Sequence, residues 1–332
     1  MKCAMLSRLA IALLVSVLPL TATAAGVYFT ETGFGDTVSR VSPLPGVASA
    51  GLTTLATLPG LDPRGVAVDG THGHVYHASG SSIVRTRLDG SDAMTILTAP
   101  AAIGDIEVDP ANGKVYFSTI FSPPTDAIYS ADLDGGSVTK LHDAASLAAA
   151  GALATITTRD VFNIKVDSDA GLLYWSADDG GVAGRTALNV TPVGGGGASQ
   201  LWVAGSRADA ITKMAIDFAS DTLYYTVGST TNEVRRASLD NSGMVSLVAG
   251  LGRPGALDID ISGGNLYFWI GATLYQGSLD GTGLSSQTFS GSSLYAVSDM
   301  ALGPLTVVPL PPALFALGAG FALLLRLRKA CA

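Results

Sequence analysis

The chain has 332 residues, of which 48% are apolar and only 14% charged, with 40 glycines; this excludes a disordered polymer and suits many short strands joined by tight turns. All 27 acidic residues lie in 25–304, whereas Lys2, Arg8, Arg326, Arg328 and Lys329 lie outside it, so the central part carries 14 basic against 27 acidic groups and repels phosphate backbones; no nucleic acid is expected as a partner. Cys3 and Cys331 both fall in the terminal segments, which excludes a disulfide, a thiolate nucleophile or a thiolate metal site between them.

Residues 1–24 have the order of a signal peptide. Lys2 and Arg8 give a positive start, 9–20 an apolar core, and Ala22-Thr23-Ala24 the small residues that signal peptidase needs, with cleavage expected before Ala25. The alternative is an uncleaved anchor helix, but the apolar core is short for a bilayer span.

The central part, 25–304, repeats. An apolar strand ends in Asp, a turn follows, and a second strand opens with Tyr: 65–78, 105–118, 163–176, 213–226 and 256–269. Asp69 precedes Tyr76, Asp109 Tyr116, Asp167 Tyr174, Asp217 Tyr224 and Asp260 Tyr267, each by seven positions. Turns such as Pro110-Ala111-Asn112-Gly113 make each copy a hairpin. Third strands end in Leu88-Asp89-Gly90, Leu133-Asp134-Gly135, Leu239-Asp240-Asn241 and Leu279-Asp280-Gly281, and fourth strands are expected at 95–97, 138–141, 200–203 and 245–248. Four strands per unit make a propeller blade. A sixth unit is split between the ends: Val27-Tyr28-Phe29-Thr30 is a second strand without a first, and Asp299-Met300-Ala301-Leu302 a first strand without a second, with Gly303 at the aspartate position. The expected fold is an all-β, six-bladed β-propeller whose N- and C-terminal strands close one shared blade.

These units resemble the YWTD, or class B low-density-lipoprotein-receptor, propeller repeat. Tyr174-Trp175-Ser176, Tyr28-Phe29-Thr30-Glu31 and the Leu-Asp-Gly turns carry the resemblance. It weakens where the tetrapeptide aspartate is replaced by Ser79, Thr119, Val227 and Ile270, so it implies the fold more than a receptor function.

With the Asp-ended strand innermost, as in that family, the loops before it and after the Tyr-led strand share one face of the disc. That face carries the candidate binding rim: Arg64, Arg159, Arg207 and Arg253, whose guanidinium groups suit the carboxylates of an acidic polysaccharide or protein, and Phe121 beside Pro123 and Pro124. The alternative is that these arginines are solvated or pair with Asp62, Asp160 and Asp209. Residues 144–154 suggest a short helix capped by Asp143. His72, His74 and His77 lack the geometry of a metal triad, and no catalytic motif, cofactor site or metal site is read. Glu31, Asn163 and Asp178 are possible channel groups that no spacing selects.

Residues 305–332 close the chain. Val308-Pro309-Leu310-Pro311 precedes the apolar run 313–325 and the cluster Arg326, Arg328 and Lys329. Thirteen helical residues rise only about 20 Å, against a hydrocarbon core of about 30 Å, which suits a temporary anchor. This tail resembles the PEP-CTERM bacterial sorting signals in their VPLPA-type variant, with Pro312 where alanine is usual. The resemblance implies an exosortase-type processing enzyme, transient membrane anchoring, and an exported, cell-envelope or extracellular location, Gram-negative in kind. The alternative is an ordinary C-terminal anchor. The function read from the whole is a noncatalytic surface or matrix propeller that binds exopolysaccharide or protein; the alternative is a metal-dependent hydrolase or lactonase with its site in the channel.

Overall fold

The computed structural model describes residues 25–32, 36–41, 52–121, 126–143, 161–178, 186–206, 209–228, 231–289 and 297–304. They form six four-stranded antiparallel sheets, each a blade, giving the expected six-bladed propeller. Blade 1 is Val66–Asp69, His74–Ser79, Ser82–Arg87 and Met94–Thr98. Blade 2 is Ala102–Asp109, Lys114–Ile120, Ala127–Asp132 and Thr139–Asp143. Blade 3 is Val161–Asp167, Leu172–Asp178, Thr186–Pro192 and Ser199–Val203. Blade 4 is Ile211–Asp217, Thr222–Val227, Glu233–Ser238 and Val245–Ala249. Blade 5 is Leu257–Asp260, Asn265–Ile270, Thr273–Ser278 and Ser285–Thr288. Blade 6 joins the last strand, Val297–Pro304, to the first three, Ala25–Glu31, Thr37–Val41 and Thr53–Thr57.

The repeated aspartate is a turn cap. Asp69 Oδ1 accepts the backbone N–H groups of Thr71 and His72, and Asp109, Asp167, Asp217 and Asp260 accept the equivalent amides two or three residues on, at 2.8–3.2 Å. This is the local side-chain turn that Asp favours, and it sets where each inner strand stops. Asp89, Asp134, Asp240 and Asp280 cap the turns after the third strands in the same way. Gly135 in the second of those turns has a φ of 90° and lies so close to the Ile96 carbonyl of blade 1 that a Cβ there would stand 2.0 Å from its oxygen. The glycine thus lets one blade's turn seat on the outer strand of the preceding blade.

Six apolar clusters fill the six gaps between neighbouring blades. Tyr28 meets Val66, Val75 and Leu88 between blades 6 and 1; Tyr76 and Ile83 meet Ile106 and Phe117 between 1 and 2; Tyr116 and Ile128 meet Ile164 and Trp175 between 2 and 3. Leu188 and Trp202 meet Met214 and Tyr225, Tyr224 and Val234 meet Leu257 and Phe268, and Trp269 and Leu274 meet Phe29 and Met300 in the remaining three. The repeat tyrosines and aromatics are therefore packing residues, each closing one gap. Hydrogen bonds reinforce the contacts: Tyr76 Oη and Arg85 Nη1 both donate to the Leu133 carbonyl of the next blade, at 3.2 and 3.4 Å, and Arg40 Nη1 to Leu88 at 2.9 Å.

Ring closure has the register expected from the split repeat. Ala25 pairs with Pro304, Tyr28 with Ala301 and Thr30 with Asp299, and Tyr28 Oη donates to the Pro304 carbonyl at 2.7 Å. Gly303 departs from the repeat's aspartate for a steric reason, since a Cβ there would lie 2.3 Å from Val68 Cγ1 of blade 1. Among the described residues no helix is long and apolar enough to cross a membrane. Residues 1–24, the expected helix at 144–154 and the tail 305–332 lie outside the described residues.

This packing yields a direct expectation. Gly303→Ala lowers the unfolding free energy in urea by about 2 kcal/mol, the scale of overpacking a filled site, and costs clearly less in a Val68→Ala background. An equal cost in both backgrounds would show that Val68 is not what keeps position 303 glycine.

Candidate functional site

Two regions qualify: the channel lined by the six inner strands, and the rim face, where the chain enters those strands. Aligning the inner strands on the repeat aspartate, or on Gly303 in blade 6, puts Gly65, Asp105, Asn163, Lys213, Ala256 and Asp299 four positions before it, and Ala67, Glu107, Lys165, Ala215, Asp258 and Ala301 two positions before it. The polar members of these two tiers converge. Lys213 Nζ of blade 4 donates to Asp299 Oδ1 of blade 6 at 2.9 Å, and Lys165 Nζ of blade 3 donates to Glu107 Oε2 of blade 2 at 2.9 Å.

Backbone geometry aims these side chains. Blades 2, 3 and 4 carry a β-bulge in the inner-strand ladder next to Asp105, Asn163 and Lys213, and blade 6 carries one next to Asp299. Bulges re-aim a side chain out of the regular pleat. Blades 1 and 5, with Gly65 and Ala256 at the same position, begin their inner strands one residue later, at Val66 and Leu257. Those small residues leave room for charged groups two blades apart to meet: Lys213 and Asp299 on either side of blade 5, and Asp105 and Asp299 on either side of blade 1.

The carboxylates also serve the sheet edges. An innermost strand presents unpaired N–H groups, which must find acceptors once buried. Asp105 Oδ2 accepts from Ile164 N at 2.7 Å, Asp258 Oδ2 from Leu302 N at 2.9 Å and Asp299 Oδ2 from Val66 N at 3.0 Å, in each case on the following blade. Burial, then the neighbouring Asp299 charge, pushes the Asp105 carboxyl well above the usual carboxylate range. Burial likewise raises Glu107 and Asp258, with Lys165 opposing it in both. Burial alone would lower Lys165, but the carboxylates of Glu107, Asp258, Asp105 and Asp299 together raise it. Four carboxyl groups thus share two ammonium groups.

That chemistry is a staple across the channel. The ammonium groups of Lys213 and Lys165 stand at hydrogen-bond distance from the oxygens that a divalent ion would need. Among the described residues no three His, Cys, Asp or Glu side chains are placed to hold a metal ion. Glu31 Oε2 accepts from Thr37 Oγ1, and Asn163 Nδ2 donates to Ser176 Oγ at 2.7 Å and to the Thr212 carbonyl at 3.2 Å. The side chain of Asp178 lies outside the described residues. The histidines of 72–77 diverge: His72 Nδ1 lies 2.7 Å from Asp69 Oδ2, His74 stands edge-on to Tyr76, and buried His77, its pKa pushed down by burial, has Nδ1 3.3 Å from the Ala78 carbonyl.

On the rim face the structure brings together Arg64 and Phe121. The Arg64 guanidinium carbon sits 5.0 Å from the centre of the Phe121 ring, a cation–π contact between the loop entering blade 1 and the loop leaving the second strand of blade 2. Phe121 is 56% exposed and holds a φ of 64°, unusual for a bulky side chain. Arg253 lies further round, packed over Gly228, where an added Cβ would meet its Nε at 2.9 Å. Leu61 and Leu251, both exposed, flank the two arginines. Asp209 binds Arg235 Nη1 at 2.8 Å, and Asp36 accepts from Gly60 N at 2.6 Å, so these rim acids are engaged locally. Arg159, Arg207, Asp160, Pro123 and Pro124 lie outside the described residues.

No protein-family model matches the chain, and no curated protein matches its sequence. Solved structures do match. A chain from the crystal structure of a nidogen/laminin complex superposes with a TM-score of 0.68 at 18% identity, over 85% of this chain and 99% of that one. TolB from Acinetobacter baumannii superposes with a TM-score of 0.61 at 13% identity, over 85% of this chain and 67% of that one. At these identities the likeness is one of fold, and it agrees with the six-bladed ring described above.

The channel pairs make a quantitative prediction. Lys213→Met, which leaves Asp299 without its ammonium partner, lowers the unfolding free energy by about 3 kcal/mol, and Lys213→Met with Asp299→Asn costs at least about 1 kcal/mol less than the sum of the single changes. Strictly additive losses in denaturant titrations would show that the two side chains are not coupled.

Proposed function

We propose that this is an exported surface or matrix propeller that binds a protein or an acidic polysaccharide through its rim face. The observation that carries the reading is the Arg64–Phe121 contact, which holds a guanidinium group and an exposed ring on the face where the chain enters the inner strands. Arg253, Leu61 and Leu251 extend that surface, giving the mix of cationic and apolar groups that recognises carboxylate-bearing polymers and peptides. The nidogen/laminin likeness adds that a chain of this fold has been captured in a complex of two proteins.

Export rests on the order of charges and small residues in 1–24, with Ala22 and Ala24 before the cut at Ala25. Sorting rests on Val308-Pro309-Leu310-Pro311, the apolar run and Arg326, Arg328 and Lys329, which would engage an exosortase-type enzyme after transient anchoring in the envelope of a Gram-negative cell.

Full-length protein with Arg64, Phe121 and Arg253 all changed to Ala is expected to retain its fold and to lose at least tenfold in affinity for the exopolysaccharide or secreted proteins of the producing cell, measured by co-sedimentation. Binding unchanged in that variant would remove the rim from consideration.

A further inference from the structure

We infer that, when its tail is held in a membrane, the protein stands with its turn face, the side that carries the Asp69-type turns, toward the bilayer and its Arg64–Phe121 face directed away from it. The inference rests on the reading of 305–332 as a membrane anchor, and adds which side of the disc a partner can reach.

The two faces are distinguished by where the last strand begins and ends. At its start, Ser298 Oγ donates to the Pro63 carbonyl at 3.0 Å, and the paired Thr30 Oγ1 to the Arg64 carbonyl at 3.4 Å, which places residues 297–298 beside the rim. At its end, the Pro304 ring packs against Gly70, in the Asp69 turn, where an added Cβ would lie 3.0 Å from Pro304 Cδ. Pro304 therefore leaves the disc at the turn face, and Ala25, its partner in the ladder, enters there too. Ala25 and Pro304, the two ends of the propeller, thus lie together on the side opposite Arg64.

Reach disfavours the opposite orientation. The linker 305–312 has eight residues, which span at most about 27 Å fully extended. To lay the rim on the bilayer it would have to run outward past three strand spacings, about 14 Å, and then along an eight-residue strand, about 26 Å. The rim partner is accordingly a polymer or protein on the outward side, and not lipid.

The test uses residues 25–332, the form left by the expected cleavage, with Cys331→Ser, reconstituted into phosphatidylcholine vesicles containing a headgroup-labelled acceptor lipid. Donor dyes go on single cysteines at exposed turn-face positions, Ala111→Cys and Ala219→Cys, and exposed rim positions, Leu61→Cys and Leu251→Cys. Energy transfer to the acceptor lipid is expected to be at least threefold greater from the two turn-face sites. Equal transfer, or greater transfer from the rim sites, overturns the orientation while leaving the anchor intact. Failure of the chain to float with the vesicles overturns the inference at the anchor itself, and neither result bears on rim binding measured in solution.

Discussion

The pairing of Val297–Pro304 with Ala25–Glu31 is the contact on which the rest of the molecule depends. Six apolar gaps exist only if six blades stand in a ring, and the gaps on either side of blade 6 exist only if strands from the two ends of the chain have met. Closure also removes the two sheet edges that an open arc would expose. Asp299 concentrates this dependence in one side chain. It sits in the closing strand, accepts the Val66 amide of blade 1, binds Lys213 of blade 4 and faces Asp105 of blade 2.

Placing those charges in the channel is costly in isolation, because each ion loses its hydration. The arrangement offsets the cost in two ways. The carboxylates accept backbone N–H groups that would otherwise be orphaned along the inner edges, and the lysines face acids rather than apolar walls. A pair such as Lys213–Asp299 can form only when blade 5 lies between its members with a small residue at the facing position, and Ala256 provides that. The Lys213–Asp299 pair thus ties blade 4 to blade 6 across the channel, and Lys165–Glu107 ties blade 3 to blade 2.

The architecture was legible because its signal recurs. Asp69 and its four equivalents cap the same turn at the same distance from the same tyrosine, so the period is written five times, and the split sixth copy predicts the closing ladder at its observed register. The channel was not legible for the opposite reason. Its positions hold Gly, Asp, Asn, Lys, Ala and Asp in turn, a column with no repeat, and its partners are separated by 58 residues for Glu107 and Lys165 and 86 for Lys213 and Asp299. Aligning the inner strands on the repeat aspartate, or Gly303 in blade 6, and reading the two columns four and two positions before it would have exposed the polar residues that face the channel. Of the rim, Arg64 and Phe121 were placed on one face by strand polarity together with the inner-strand order that the family resemblance implies; their stacking depends on the backbone conformation at Phe121, which no sequence pattern encodes. Nor does sequence adjacency choose ion-pair partners, since Asp209 binds Arg235 from another strand.

If closure governs the whole ring, blade 6 cannot open independently of the others. Native-state amide hydrogen exchange on the intact chain addresses this directly, by comparing segments 25–31 and 297–304 with the central strands 102–120. The account predicts that the closing strands are protected to the same opening free energy as blade 2. Exchange of the closing strands well ahead of the others would contradict it, because the ring would then persist without the contact held to complete it.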